Sequence, residues 1–236
     1  MREIDSAHPA GTIGVLVGSL ARYRALFTSI ERLRVPRGTN LIYGEGIEVA
    51  RNCNSLVDQM TGEWLWIMGD DHRFNPELLL KLLDRRVDIV VPLVCRRQPP
   101  FESVLYKSMV SDGAPNEKYA LSELPSGGLF QVEAAGSAGM LVRQYVFGAL
   151  PRPWFEFQRH TSEDVGFCVD ARRAGFKVHA DLDETMMHIT PCELEPHRGG
   201  DGKWSIAVDI GGHRYRLSED VTADVAHARP QLKVVA

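Results

Sequence analysis

The chain has no Cys-x-x-Cys pair, no long apolar run, no internal repeat and no low-complexity segment. Its four cysteines, Cys53, Cys95, Cys168 and Cys192, are widely and irregularly spaced. That pattern excludes a zinc ribbon and a dithiol redox motif, and it fits reduced, mostly buried thiols in a cytoplasmic protein. The longest apolar stretch, Ile89 to Cys95, is far too short to cross a bilayer, so no membrane association is expected. Residues 1–11 carry Glu3, Asp5, His8 and Pro9 and lack the apolar centre of a secretory signal; they read as an N-terminal leader. There is no excess of positive charge either. The net charge of −4 disfavours general adhesion to polyanions and leaves only a local basic patch as a route to one.

What is present is a globular composition. With 236 residues, 44% hydrophobic and 25% charged, the chain buries a sizeable core without disulfide or metal staples. Its first half alternates strand and helix signals. Thr12–Val17 is a short β-branched apolar run ending at Gly18-Ser19, and Tyr23–Leu33 has helical spacing and stops before Pro36. Asn40–Tyr43 reads as a strand and Glu48–Met60 as a helix with the stripe Val49, Cys53, Leu56, Val57, Met60. Trp64–Met68 is a third strand, Pro76–Leu83 a helix, and Val87–Val94 a fourth strand apolar on both faces. This alternation predicts an α/β fold: a Rossmann-like three-layer α/β/α sandwich around a mainly parallel sheet.

The second half is looser. Arg96–Gly128 reads as loops with short strands. Strands are predicted at Phe130–Ala134, Met140–Val142, Phe176–Ala180 and Thr185–Ile189, and a helix at Ser162–Ala174. Ser205–Ile210 and His213–Leu217, joined at Gly211-Gly212, predict a β-hairpin. The expected division is a leader at 1–11, a main domain at 12–191 and a C-terminal hairpin extension of the same domain at 192–236.

Asp70-Asp71-His72 follows directly on the third strand. In open α/β sheets ligands bind beyond the carboxyl ends of the strands. A carboxylate beside an imidazole can hold a divalent cation and leave coordination positions for phosphate oxygens. Strand periodicity predicts Asp70 and His72 on one side and Asp71 on the other. The competing reading is a polar loop in which Asp71 caps the next helix.

Four motifs in order add to this. They are Gly46-Ile47-Glu48-Val49-Ala50-Arg51-Asn52, then Gly62-Glu63-Trp64-Leu65-Trp66-Ile67-Met68-Gly69-Asp70-Asp71-His72, then Gly136-Ser137-Ala138-Gly139-Met140-Leu141-Val142-Arg143, then Ser162-Glu163-Asp164-Val165-Gly166-Phe167. Together with Gly175-Phe176-Lys177-Val178 and His188, the run resembles the GT-A-fold, family 2-like nucleotide-sugar glycosyltransferases, over roughly Thr12 to Thr190. Asp70-x-His72 stands where many members have Asp-x-Asp. That variant is similar to the motif of polypeptide N-acetylgalactosaminyltransferases, and a register with Asp71 as the ligand is the alternative.

The resemblance implies a GT-A fold and a metal-dependent transfer of a sugar from a nucleotide sugar, UDP-linked, to a hydroxyl acceptor. It implies Mn²⁺ (or Mg²⁺) held by Asp70, His72 and His188, the imidazoles favouring Mn²⁺. It places Ser19, Glu45, Arg51, Asp70 and Asp71 at the nucleotide, and Asp164, or its neighbour Glu163, as the base of an inverting reaction, the course favoured over a retaining one. Without the motif, Asp164 reads as a helix-capping acid and Arg51 as a surface arginine. Gly136, Trp154 and Arg96 are expected at the sugar or acceptor. The compact form looks like transferases encoded in bacteriophage genomes, some of which modify hydroxymethylated bases in DNA; His213, Arg214 and Arg216 are where such an acceptor would touch. Two alternatives compete: a nucleotidyltransferase on a related fold, for which Val17–Arg22 is a poor phosphate loop, and a binding module without turnover.

Overall fold

The structure, a computed structural model, describes residues 1–18, 24–108, 116–157, 161–198, 200 and 204–217. The chain divides into two compact units, residues 1–95 with 102–188, and residues 96–101 with 189–236. In the first unit the strands are β1 (Thr12–Val17), β2 (Asn40–Glu45), β3 (Trp64–Gly69), β4 (Ile89–Leu93), β5 (Leu129–Val132), β6 (Met140–Arg143) and β7 (Val178–Thr185). The helices are α1 (Arg24–Arg32), α2 (Val49–Gln59), α3 (Leu78–Asp84), α4 (Gln144–Ala149) and α5 (Glu163–Arg173).

The seven strands form one sheet in the order β5-β7-β4-β6-β3-β1-β2. β1 pairs in parallel with β2 and β3, and β4 in parallel with β7. β6 runs antiparallel between β3 and β4, and β5 is antiparallel at the edge. The sheet is therefore mainly parallel.

Its two faces explain the sequence pattern. Trp64, Trp66 and Met68 of β3 join one cluster with Leu26 and Ile30 of α1 and Leu78 and Leu82 of α3. Leu65 and Ile67 point to the other face, among Cys53 and Leu56 of α2 and Phe167 and Cys168 of α5. A strand covered on both sides reads as unbroken apolar sequence, and β3 is buried throughout its first five residues. The result is the expected three-layer sandwich.

Residues 1–11, expected as a leader, supply the short strand Arg2–Ile4, which pairs in parallel with Arg34–Pro36. Near Leu105–Ser108 a small separate sheet takes up Glu117–Lys118 and Ala134–Ala135.

The second unit contains β8 (Glu193–Arg198), β9 (Trp204–Ile210) and β10 (His213–Leu217) in an antiparallel meander. The predicted hairpin is β9–β10, and β8 adds a third strand that its polar sequence did not announce. Gly211 and Gly212 both have positive φ, 58° and 81°, which is the backbone a two-residue hairpin turn requires. Within this unit Phe101 lies against Tyr215, with ring centroids 6.4 Å apart.

Candidate active site

β3 ends at Gly69, and Asp70-Asp71 form a turn before the short strand His72–Arg73. That short strand pairs antiparallel with Met187–His188, with His188 directly opposite His72. The Met186 amide donates to the Leu93 carbonyl at 3.1 Å, so His188 is delivered to the β3 edge by the chain leaving β7 beside β4.

The consequence is a cluster of Asp71, His72 and His188, whose ligand atoms all lie within 4.8 Å of one another. The imidazole rings stack at 4.5 Å between centroids and 20° between planes. His188 Nε2 sits 3.0 Å from Asp71 Oδ2, and His72 Nδ1 sits 3.2 Å from Asp71 Oδ1. His188 is also fixed from behind, its Nδ1 3.0 Å from the Cys95 carbonyl, and His72 Nδ1, the nitrogen that faces Asp71, also lies 3.1 Å from the Gly69 carbonyl. For His188 a backbone carbonyl holding Nδ1–H selects the tautomer that turns Nε2 to Asp71 as a lone pair, the support that metal-binding histidines use, whereas His72 turns Nδ1 to Asp71 and buries its Nε2 without a hydrogen-bond partner. Gly69 leaves room for the cluster, because a Cβ at that position would lie 2.7 Å from Asp71 Oδ1 and push that carboxylate aside.

Asp70 has a different placement from the one strand periodicity predicts. The chain turns at residues 70–71 instead of continuing as a strand, so the alternation of sides is lost. The Asp70 amide donates to the Leu16 carbonyl at 3.0 Å, and its carboxylate accepts the Gly18 amide at 3.0 Å. Asp70 thus ties the end of β3 to the end of β1, and Asp71 takes the place beside the two histidines. Ser19 lies outside the described residues.

The Gly136–Gly139 segment precedes β6, and Met140 pairs with Ile67 near the carboxyl end of β3. Asp164, in the first turn of α5, joins this segment: its carboxylate accepts the Ser137 amide at 3.0 Å, the Val165 amide at 2.8 Å and the Ser162 hydroxyl at 2.5 Å. Gly136 lies against it, an added Cβ standing 3.5 Å from Asp164 Oδ2. Glu163 instead turns inward and is buried, and burial first, then the Asp164 charge, raises its pKa above the usual carboxylate range. Burial also raises the thiol pKa of Cys53, of Cys95 and of Cys168, the last to about 12, so none of the three is a thiolate nucleophile at neutral pH.

Glu45 is exposed at the carboxyl end of β2. Asn52 of the Ala-Arg-Asn run serves the backbone: its amide donates to the Gly46 carbonyl at 3.0 Å and holds the turn from β2 into α2. Arg51 and Trp154 come together, lining a groove of about 640 Å³ between α2 and the 152–157 segment. Arg96 belongs to the second unit. There Arg214 is engaged by Glu195 and lies 3.6 Å from Asp209, so its charge is met within its own sheet. The Arg216 side chain lies outside those described.

Three features were not read from sequence. The carbonyls of Gly69 and Cys95 carry no side-chain signal. Asn54 resembles any polar helix residue, yet its carboxamide receives the Trp154 and Phe155 amides at 2.9 and 3.1 Å and donates to the Phe155 carbonyl at 2.7 Å. Arg152, whose guanidinium stacks 4.3 Å over the Trp154 ring, had only its aromatic neighbours as a clue.

No family model and no curated protein matches this sequence. Solved structures do resemble it. A197 from STIV is 12% identical, with a TM-score of 0.49 and coverage of 88% of this chain and 90% of that one. TarS of S. aureus, residues 1–349, is 10% identical, with a TM-score of 0.45 and coverage of 76% and 61%. GalNAc-T7, solved with UDP, GalNAc and Mn²⁺, is 9% identical, with a TM-score of 0.50, and this chain's 78% matches 44% of its length. The last likeness shows the fold: the chain has a GT-A-like glycosyltransferase fold.

Proposed function

We propose that this protein is a metal-dependent glycosyltransferase that moves a sugar from a nucleotide sugar, UDP-linked, to an acceptor hydroxyl. The observation that carries this reading is the Asp71–His72–His188 cluster at the carboxyl end of β3, with His188 fixed through Nδ1 to a backbone carbonyl. One carboxylate and two imidazoles suit Mn²⁺ better than Mg²⁺. Asp71, His72 and His188 would hold the divalent cation, which would supply positive charge against the diphosphate as it departs.

The chain's own residues supply the rest. Asp70, held on the Gly18 amide, fixes the end of β1 against the end of β3 and shapes the floor of the nucleotide site. Glu45, two strands away at the same edge, faces the nucleoside. Asp164 is the base. It removes the acceptor hydroxyl proton as the acceptor oxygen bonds to the anomeric carbon and the bond to the diphosphate breaks; the proton ends on Asp164 and the nucleoside diphosphate leaves. Three hydrogen bonds hold its carboxylate in one position for that step. Glu163, its neighbour in the first turn of α5, is buried. A reduced, cytoplasmic setting suits this reading, since all four cysteines are free thiols. Among the described residues no helix is long and apolar enough to cross a membrane.

A thermal-shift screen of nucleotide sugars with and without Mn²⁺, followed by assay of nucleoside diphosphate release, tests the proposal. Mn²⁺-dependent stabilisation by one donor, and release abolished in Asp71→Asn, is the expected result. Release of pyrophosphate from a nucleoside triphosphate would instead make the protein a nucleotidyltransferase.

A further inference from the structure

The groove beside α2 has a chemistry of its own. One wall is a single stripe of α2 and its leading residue, Glu48, Arg51, Asn54 and Asp58. Their spacing of three, three and four residues puts them on one helical face, and ten residues of helix extend about 15 Å. The other wall is Arg152, Pro153, Trp154, Phe155, Glu156 and Phe157. That wall is held in place before any ligand arrives. Asn54 grips the Trp154 and Phe155 backbone, and the Trp154 indole N–H donates to the Phe147 carbonyl at 2.8 Å. Arg152 bridges the groove, stacking on Trp154 and pairing with Asp58 at 2.9 Å. Phe157 stays 59% exposed. Arg51, Glu48 and Glu156 line the groove and enter no ion pair among the described residues.

Three carboxylates against two guanidinium groups give this lining a net negative charge, the wrong sign for a nucleic-acid backbone, whose affinity comes from lysine and arginine on phosphates. The exposed Phe157 ring and the Arg152–Trp154 stack, beside both donors and acceptors, suit a different ligand. Sugar rings present apolar C–H faces for stacking and hydroxyls that donate and accept at once. We infer that this groove binds a neutral saccharide, which on the transferase reading is the acceptor or its non-reacting end.

Glycan binding and donor turnover can be measured separately. Labelled metal-free protein is applied to an array of neutral glycans, acidic glycans and short DNA duplexes, and the best neutral glycan is then titrated against wild type, Trp154→Ala and Phe157→Ser. Binding of a neutral glycan is expected, weakened at least about tenfold in each variant. Phe157→Ser alters an exposed side chain, so its result stands if Trp154→Ala fails to fold. No neutral glycan bound, equal binding by Phe157→Ser, or preference for DNA or acidic glycans would overturn the inference. Glycan binding without any Mn²⁺-dependent donor turnover would sink the transferase reading and leave the saccharide site standing. Turnover without glycan binding would do the reverse.

Discussion

Two acidic clusters of the first unit meet their partners with different chemistry. Around α3, Asp181 is fully buried and receives Arg85 through two bonds, Nε at 2.8 Å and Nη2 at 2.7 Å. Arg85 also reaches Asp183 at 2.7 Å, and Lys81 reaches Glu184 at 2.6 Å. These cations are permanent, and their acids raise the pKa of both Arg85 and Lys81 further. At the β3 edge, Asp71 is shared by two imidazoles, whose charge depends on protonation and whose ring nitrogens beside Asp71 can instead bind a metal. The first arrangement closes a charge balance; the second holds ligands ready. Similar carboxylates thus mark structure in one place and chemistry in the other, and the distinction lies in the partner.

The difference between the clusters shows most in turnover. Asp71→Ala or His188→Ala should lower Mn²⁺-dependent nucleoside diphosphate release by about a thousandfold or more, with the melting temperature little changed. Removing the permanent cation should do the opposite. Arg85→Ala leaves the Asp181 charge buried and should cost about 3–5 kcal/mol, a melting temperature lower by roughly 6–20 °C in calorimetry, while Mn²⁺ affinity of the folded fraction is kept. Asn54→Ala tests the groove wall. It strands the Trp154 and Phe155 amides and should cost roughly 1–3 kcal/mol of stability, with saccharide affinity falling and donor binding retained.

The smallest effect concerns Glu163. Its folded pKa is raised by burial and by Asp164, so the folded state holds its proton more tightly than the unfolded chain. The stability tied to that proton is present below the unfolded pKa and is lost as pH rises through the raised value. Glu163→Gln should therefore be increasingly more stable than wild type as pH climbs above the ordinary glutamate range, as melting curves at successive pH values would show. A constant difference would contradict the assigned cause.

Much of the fold was legible because the sheet is covered on both faces. β1, β3 and β4 announce themselves as apolar runs, and α2 by its buried stripe. The antiparallel insertion of β6 between β3 and β4 was not, since Met140-Leu141-Val142 has the same pattern in either direction. α4 is only six residues long and β8 is almost wholly polar and exposed, so neither carries a periodic signal. At the site, the residue types Asp, Asp, His and the distant His188 were readable, but not which aspartate faces the histidines. That choice depends on a turn at 70–71 and on the pairing of Arg73 with Met187, a contact across more than a hundred residues.

The most direct measurement is Mn²⁺ titration of wild type, Asp70→Asn and Asp71→Asn by calorimetry or electron paramagnetic resonance, without donor. With Asp71 as the carboxylate ligand, wild type and Asp70→Asn each bind one Mn²⁺, and Asp71→Asn loses that binding. Binding that survives in Asp71→Asn and vanishes in Asp70→Asn would contradict the assignment.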